Sequence, residues 1–348
     1  MFDKPDERKT HSYSISSLGG VGIVAGLSLS LLLVIDFNSG DSEFQYYLAC
    51  FFIIFILGLI DDIFNLKAWK KLSGQLLVAA ILSAKAHLLL TSLHGLGGIF
   101  EINELTSYII TFFTVLLVIN SFNLIDGVDG LSGSLGLVSS LAFGMFFYVN
   151  NMLPYAILGF AMAGSLLAFL MYNFPPAKIF MGDSGSMLIG LVNVILLLKF
   201  VNTDGSAPVY PISSSIAVGF GILIVPLLDV LRVFIIRLTK GVSPFAADRN
   251  HIHHLLLNRG FSHTGVTITL IISSVIFSAL SFALQSLNIN VIALILSALY
   301  FTGVFVVKYF APKRKLHVVG SENFVQPAPD TKVLTLYQTT DNVALNEE

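Results

Sequence analysis

Charged residues are scarce in this chain: Asp, Glu, Lys and Arg make up 11% of its 348 residues, whereas hydrophobic residues make up 55%. Soluble domains carry about a quarter charged residues, so this composition indicates a polytopic membrane protein. The net charge of −2 excludes the positive field that would attract nucleic acid. The single cysteine, Cys50, excludes a disulfide framework and a thiolate metal site. Residues 1–11 are polar and are not expected to act as a cleavable signal peptide.

Long apolar runs fill most of the chain. A helix that spans a bilayer needs about 20 mostly apolar residues. Ten runs come near this length, at 18–37, 46–60, 72–90, 105–124, 131–149, 153–172, 186–200, 212–236, 266–284 and 289–307. The sequence therefore predicts an all-α, polytopic transmembrane helical bundle of about ten spans in residues 1–310. Residues 311–348 show no periodicity and are predicted to form a flexible tail.

The basic residues predict how this bundle lies in the membrane. If residues 1–17 are cytoplasmic, 16 of the 19 Lys and Arg residues fall in cytoplasmic segments, and the outer loops contain none. Cytoplasmic loops carry an excess of Lys and Arg, so this orientation is favoured and the tail is cytoplasmic. Every concentrated polar motif then falls on the cytoplasmic side, which predicts one polar site built from several loops.

The first of these motifs is NLIDGVDGLSG at 123–133, between two predicted spans. Asp126 and Asp129 stand three residues apart, and each is followed by a glycine that lets a ligand approach the backbone closely. Carboxylates at a membrane face suit a divalent metal or the donors of a ligand. A polar Asp-Gly turn between two helices is the structural alternative.

Two further acidic motifs lie at the ends of spans. Asp61 and Asp62 end the second span, where a cation would relieve their repulsion and a solvated helix end is the alternative. Asp183 lies in FMGDSGS at 180–186, at the start of a span. Its carboxylate could coordinate Mg²⁺ while amides at the helix start meet a phosphate, and a helix N-cap by Asp183 or Ser184 is the alternative.

A basic loop at 243–260, here named the histidine loop, contains Arg249, His251, His253 and His254. Its spacing differs from the helical HExxH pattern and no cysteine accompanies it, so a zinc site is not expected. These side chains can instead donate to a phosphate or a sugar, and a hydrated histidine-rich loop is the alternative. Asp229 and Arg232 lie three residues apart near the end of a span and predict an internal ion pair.

The motifs follow the order found in a known family. DD at 61–62, NLIDGVDGL at 123–131, FMGDSGS at 180–186 and DRNHIHHLLLNRG at 248–260 resemble the motifs of the polyprenyl-phosphate N-acetylhexosamine-1-phosphate transferases. DKPDERKTH at 3–11, followed by GG at 19–20, is similar to that family's first cytoplasmic loop, so the match covers residues 3–310. Ile252 interrupts the histidines, which looks like the branch that takes N-acetylglucosamine. The muramoyl-pentapeptide branch typically carries three consecutive histidines.

The resemblance implies a reaction in which UDP-N-acetylglucosamine and undecaprenyl phosphate give undecaprenyl-diphosphate-N-acetylglucosamine and UMP. This step would begin a lipid-linked cell-surface polysaccharide, such as the O-antigen of lipopolysaccharide. The resemblance also implies Mg²⁺, or Mn²⁺ as a substitute, and a site on the cytoplasmic face of the bacterial inner membrane. Because a lipid phosphate is largely dianionic near neutrality, cations that bring two anions together can suffice without a protein nucleophile.

The same resemblance implies roles for individual residues. Asp183 would bind the metal, and Asp61 and Asp62 would orient the lipid phosphate, complete the metal shell or remove the last proton of that phosphate. The nucleotide or the metal would be held by Asn123, Asp126 and Asp129. Lys71 would bind a substrate. The diphosphate and sugar would be contacted by Arg249, His251, His253 and His254.

The chain departs from the family in one respect. The family usually has eleven spans, the first of them before the DKPDERKTH loop, whereas Met1 here lies two residues before that loop. The expectation is a misassigned start or a missing span. The alternatives left open are another UDP-sugar, such as UDP-N-acetylgalactosamine or a muramoyl-pentapeptide donor, and a homo-oligomeric state. A secondary transporter is disfavoured because its sites lie near the midplane of the membrane, whereas the acids here cluster at one face.

Overall fold

The apolar runs form helices in the computed structural model, which describes residues 2–3, 15–36, 43–203, 207–243 and 250–310. The helices are α1 (Gly19–Val34), α2 (Glu43–Phe64), α3 (Ala68–Ala84), α4 (Glu104–Ile125), α5 (Leu131–Val149), α6 (Leu153–Asn173), α7 (Gly182–Asn202), α8 (Ser215–Ile222), α9 (Ile224–Thr239), α10 (Ile252–Asn258), α11 (His263–Ala283) and α12 (Ile289–Phe310). The strands in these described ranges form two antiparallel pairs, β1 (Phe2–Asp3) with β2 (Ile15–Ser16) and β3 (Ser92–Leu96) with β4 (Ile99–Glu101). The predicted tail at 311–348 lies outside the described residues.

Each of the ten predicted runs coincides with a helix or, at 212–236, with the pair α8 and α9, so the predicted polytopic helical membrane fold is confirmed. Within the described residues, seven helices are long and apolar enough to cross a membrane, namely α2, α4, α5, α6, α7, α11 and α12, and the bent pair would form an eighth. The helices α1 and α3 have only 16 and 17 residues. The third run was predicted too long, because its helix ends before Lys85. The count of ten spans and their orientation stay predictions.

A sharp bend of 82° separates α8 from α9. Pro226 lies in the first turn of α9, where proline is tolerated because the first N–H groups of a helix have no partner within it. A continuous helix would bring its ring against the carbonyl of Ile222, the last residue of α8. The run at 212–236, which was predicted as one continuous span, therefore forms two helices with a bend between them.

The central helix is α7, which is buried along almost its whole length and packs against α1, α2, α4 and α5. A helix that is apolar on all sides is suited to such a position. The residues just before α7 are held by β2 and by the first residue of α1, because the Phe180 N–H donates to the Ser16 carbonyl at 2.8 Å and the Gly19 N–H donates to the Phe180 carbonyl at 2.9 Å. The motif FMGDSGS therefore lies at the centre of one end of the bundle.

Candidate active site

Two carboxylates from different helices converge on one cation at this end of the bundle. Lys71, in the first turn of α3, forms an ion pair with Asp183 Oδ2 at 2.5 Å and a second ion pair with Asp61. Asp61 is also fixed by its own loop, since its Oδ1 accepts a hydrogen bond from the Leu66 N–H at 2.6 Å. The predicted residues Asp61, Lys71 and Asp183 therefore form one cluster, here named the acid cluster.

Asp62 caps the N-terminus of α7 from the neighbouring helix α2. Its Oδ1 accepts from the Asp183 N–H at 2.7 Å, and its Oδ2 accepts from the Ser184 N–H at 3.2 Å. A carboxylate satisfies the unpaired amides of a helix start and interacts well with the helix dipole. Gly182 makes room for this contact: its φ is +72°, and an added Cβ would lie 2.6 Å from Asp62 Oδ2. The sequence had offered Asp183 or Ser184 as the cap, whereas the capping group belongs to Asp62.

The motif NLIDGVDGLSG at 123–133, here named the Asp-Gly motif, borders the acid cluster. Asn123 Nδ2 donates to Ser186 Oγ at 3.0 Å, which ties the end of α4 to the first turn of α7. Asp126 follows α4, and burial, together with the charges of Asp183 and Asp62, raises the pKa of its carboxyl to about 8. A group shifted in this way is characteristic of functional sites, where a bound cation would favour its ionised form.

Asp129 contacts the loop between α6 and α7 and the start of α11. Its Oδ2 accepts from the Ala177 N–H at 3.2 Å and lies 3.8 Å from His263 Nδ1. Asn173 links the Asp-Gly motif to the same loop, because its Oδ1 accepts from the Gly130 N–H at 2.9 Å and its Nδ2 donates to the Ile179 carbonyl at 2.8 Å. Sequence reasoning missed Asn173, although a polar residue just before the Phe-Pro-Pro turn at 174–176 is a signal for it.

The histidine loop meets the Asp-Gly motif through His253, which is 1% exposed. Its imidazole lies against Gly127, where an added Cβ would collide with Nε2, so only glycine permits this close approach. Burial lowers the pKa of His253 to about 3, and the ring is therefore neutral near pH 7. Among the described residues, its Nδ1 has no hydrogen-bond partner. The half-buried ring of His254 packs beside it at 4.2 Å between centroids.

His251 and Arg232 both bind the buried Asp229. Arg232 Nη2 lies 2.8 Å from Asp229 Oδ1, which confirms the predicted internal ion pair. His251 Nδ1 lies 2.8 Å from Asp229 Oδ2, a contact that the sequence did not predict. Arg249 lies outside the described residues, so its role stays a prediction.

Comparison with known proteins decides the family. Residues 44–201 match Glycosyl transferase family 4. The chain is 32% identical over 268 residues to an undecaprenyl-phosphate alpha-N-acetylglucosaminyl 1-phosphate transferase of Yersinia pestis, which spans 75% of this chain and 71% of that relative. The chain belongs to this transferase family.

Two further relatives of the transferase carry related names. A protein of Escherichia coli O157:H7 with the same name is 33% identical over 286 residues, which is 80% of this chain and 75% of the relative. A decaprenyl-phosphate N-acetylglucosaminephosphotransferase of Mycobacterium leprae is 32% identical over 291 residues, which is 76% of this chain and 72% of the relative. The chain is therefore a multi-pass membrane enzyme that transfers a sugar phosphate.

The acid cluster of the transferase fits a hard divalent cation. No three side chains of His, Cys, Asp or Glu converge as a closed cage in the part of the chain that the structure describes. Mg²⁺ does not need such a cage, because one or two carboxylates usually hold it together with waters and substrate phosphates. Asp61 and Asp183 already share one cation, the Lys71 ammonium, so their oxygens lie close enough to share a metal ion.

Proposed function

We propose that this transferase moves N-acetylglucosamine-1-phosphate from UDP-N-acetylglucosamine to undecaprenyl phosphate and releases UMP. The observation that carries the proposal is that acidic side chains and a histidine side chain both lie next to the Asp-Gly motif. Asp183 of the acid cluster is near enough for its charge to act on Asp126, and the imidazole of His253 lies against Gly127. Carboxylates that suit a cation and imidazoles that suit a diphosphate are what a reaction between two phosphate groups requires. The names of the relatives support the same lipid and sugar.

The reaction needs one bond to form and one to break. An oxygen of the lipid phosphate bonds to the β-phosphorus of the nucleotide sugar. The bond from that phosphorus to the oxygen that it shares with the α-phosphorus breaks, so that UMP leaves. The attacking dianion is already nucleophilic near neutrality, so the protein has to offset the repulsion between two anions. The Lys71 ammonium lies in the acid cluster and can contact a phosphate oxygen there.

We assign the metal to Asp183 together with Asp61, whose carboxylates share the Lys71 ammonium. Bound Mg²⁺ or Mn²⁺ would supply positive charge that neutralises the reacting phosphates. Asp62 was also predicted as a metal ligand. Because both of its oxygens accept hydrogen bonds from α7, it is better suited to position Asp183 than to hold the ion.

We assign the histidine loop to the binding of the nucleotide sugar, the donor of the reaction. A neutral imidazole that lacks a partner within the described residues, as His253 Nδ1 does, can form a hydrogen bond with a sugar hydroxyl or a phosphate oxygen. Arg249 and His254 are proposed to contact the same diphosphate and sugar. We place this face of the enzyme in the cytoplasm of a bacterium, at the inner membrane, where the product begins a cell-surface polysaccharide.

The test is incubation of the purified protein with undecaprenyl phosphate, Mg²⁺ and a panel of labelled UDP-sugars. The expected result is a lipid-linked product from UDP-N-acetylglucosamine, with at least about 100-fold less product from the Asp183→Asn variant. Glu101→Gln makes the same carboxylate-to-amide change on the exposed strand β4 and should be fully active. Transfer from UDP-N-acetylgalactosamine or the muramoyl-pentapeptide donor alone would overturn the choice of sugar. Near-normal turnover of Asp183→Asn at saturating Mg²⁺ would remove Asp183 from the metal.

A further inference from the structure

Asp229 is a fully buried carboxylate to which the proposed chemistry gives no role. It lies in the second turn of α9, just beyond the bend, and its exposed fraction is 0%. A buried carboxylate is tolerated when donors satisfy its oxygens. Arg232 Nη2 and the Ile252 N–H both donate to Oδ1 at 2.8 Å, and His251 Nδ1 lies 2.8 Å from Oδ2.

These contacts clamp three consecutive residues of the histidine loop through three different groups. Asp229 binds the side chain of His251 and the backbone N–H of Ile252, and Arg232 Nη2 also donates to the Asn250 carbonyl at 2.5 Å. The two parts of the clamp are distant in sequence, since Asp229 precedes His251 by 22 residues. The clamp therefore fixes the start of α10 against α9.

The same contact decides which nitrogen of His251 carries a proton. An ionised carboxylate only accepts hydrogen bonds, so the nitrogen that faces Asp229, Nδ1, must be the donor. Nε2 is then the only ring nitrogen of His251 that is left to contact a ligand. The ring of His251 is stacked on that of His253 at 5.7 Å between centroids and 7° between planes. The clamp thus reaches the Asp-Gly motif through His253.

We propose that Asp229 is a positioning residue of the transferase. It holds residues 250–252 in place and keeps the His251 proton on Nδ1, so that Nε2 can accept a hydrogen bond from the nucleotide sugar. The identity of the nucleotide sugar rests on the function proposed above, whereas the position of the His251 proton does not. Asp229 has no contact with the acid cluster among the described residues.

The Asp229→Asn variant is designed to change the position of the His251 proton while it keeps the shape of the clamp. The carboxamide oxygen can occupy the place of Oδ1 and keep the hydrogen bonds from Arg232 and Ile252. The NH₂ group then occupies the place of Oδ2, where it meets His251 Nδ1 as a donor. This arrangement favours the other tautomer of His251, in which the proton has moved to Nε2. The variant is nearly identical in size, so two of the three contacts and the packing of α9 are retained.

The experiment combines nitrogen NMR of ¹⁵N-histidine-labelled protein in detergent with steady-state kinetics. The His251 signals are assigned from the His251→Asn variant, whose side-chain NH₂ can still donate to Asp229 although Nε2 is gone. We expect the proton on Nδ1 in the wild type and on Nε2 in Asp229→Asn. The kcat/KM for the nucleotide sugar should fall by about 10- to 100-fold in both variants, because a sugar hydroxyl that donates to Nε2 is left without its acceptor. The Mg²⁺ dependence and the KM of the lipid should stay unchanged.

Glu101→Gln, on the exposed strand β4, is the matched control and should change neither readout. A wild-type proton on Nε2 would overturn the proposal, as would a folded Asp229→Asn variant with wild-type kinetics for the nucleotide sugar. If Asp229→Asn does not fold, the wild-type spectrum and the kinetics of His251→Asn still decide. A wild-type enzyme that forms no lipid-linked product would contradict the proposed function, and the spectrum would then test the clamp by itself.

Discussion

The carboxylate of Asp62 accepts a hydrogen bond of 2.7 Å from the backbone N–H of Asp183. The two residues lie 121 positions apart, at the end of α2 and the start of α7. The Asp183 carboxylate lies beside Lys71, and both oxygens of Asp62 accept hydrogen bonds from amides at the start of α7. The two acids are therefore expected to differ in what they do, and their variants should separate these roles.

Asp62→Ala is expected to lower the stability of the protein through loss of the cap on α7. Removal of a capping side chain typically lowers the free energy of unfolding by about 0.5–2 kcal/mol. Turnover should also fall because Asp183 loses its support, while the Mg²⁺ concentration at half-maximal rate changes little. Thermal unfolding in detergent and a Mg²⁺ titration measure the two effects. An unchanged melting temperature combined with a raised Mg²⁺ requirement would make Asp62 a metal ligand instead.

Lys71→Gln is expected to increase the stabilisation of the protein by Mg²⁺. Without the ammonium, Asp61 and Asp183 repel each other, and a divalent cation can bind both carboxylates without competition from Lys71. A ligand that binds the folded state raises the melting temperature, so the shift caused by Mg²⁺ should be larger in the variant than in the wild type. Lys70→Gln, at the neighbouring exposed position, serves as the control. Equal shifts in the wild type and Lys71→Gln would show that the metal binds elsewhere.

His253 is expected to make the folded state less stable at acidic pH. Its pKa is about 3 in the folded protein against an ordinary value of 6.5, so between these values the unfolded chain binds a proton that the folded chain does not. The stabilisation is therefore fully present above about pH 6.5 and is lost as the pH falls towards 3. His253→Gln should unfold at temperatures that differ less between pH 7.5 and pH 5, two buffers placed roughly on either side of the histidine's ordinary pKa.

The control for this experiment is His87→Gln, which replaces a solvent-exposed histidine. It should show the same difference in melting temperature between the two buffers as the wild type. If His253→Gln also retained the full difference, the buried imidazole would not be the source of the acid sensitivity.

The orientation in the membrane predicts which loops an impermeant thiol reagent can reach. In a Cys50→Ala background, single cysteines introduced at the solvent-accessible positions within 250–258, above all at the exposed Asn258, should be unreactive in intact cells and reactive in opened cells. Cysteines in the loop at 91–104, which carries β3 and β4, should react in intact cells, because that loop is placed outside by the distribution of Lys and Arg. Labelling of the 250–258 positions in intact cells would reverse the orientation.

The sequence was sufficient for the helical fold and for the choice of motifs, because both follow from local patterns. Apolar runs of about 20 residues form helices whatever their neighbours are, and the acid and histidine motifs are contiguous in sequence. The bend between α8 and α9 was missed, although Pro226 was visible, because the apolar pattern continues through it. The short helices α1 and α3 show the same limit, since apolar residues can continue beyond the end of a helix.

The division of labour within the site could not be predicted from the sequence. Asp61 and Asp62 are adjacent and chemically alike, yet one pairs with Lys71 and the other binds backbone amides, because successive positions on a helix face different neighbours. Asp129 resembles Asp126 in its sequence context, but it binds Ala177, a contact that depends on the packing of α5 against α6. The i,i+3 pair of Asp229 and Arg232 was predictable, whereas its contact with His251 depends on the tertiary fold.

The identity of the released nucleotide tests the central claim most directly. UDP-N-acetylglucosamine labelled with ³²P at the β-phosphate is incubated with undecaprenyl phosphate, Mg²⁺ and the purified enzyme. If the enzyme transfers the sugar together with one phosphate, the label enters the lipid fraction and unlabelled UMP accumulates in equal amount. Release of labelled UDP, with an unlabelled lipid, would show transfer of the sugar alone and would contradict the account.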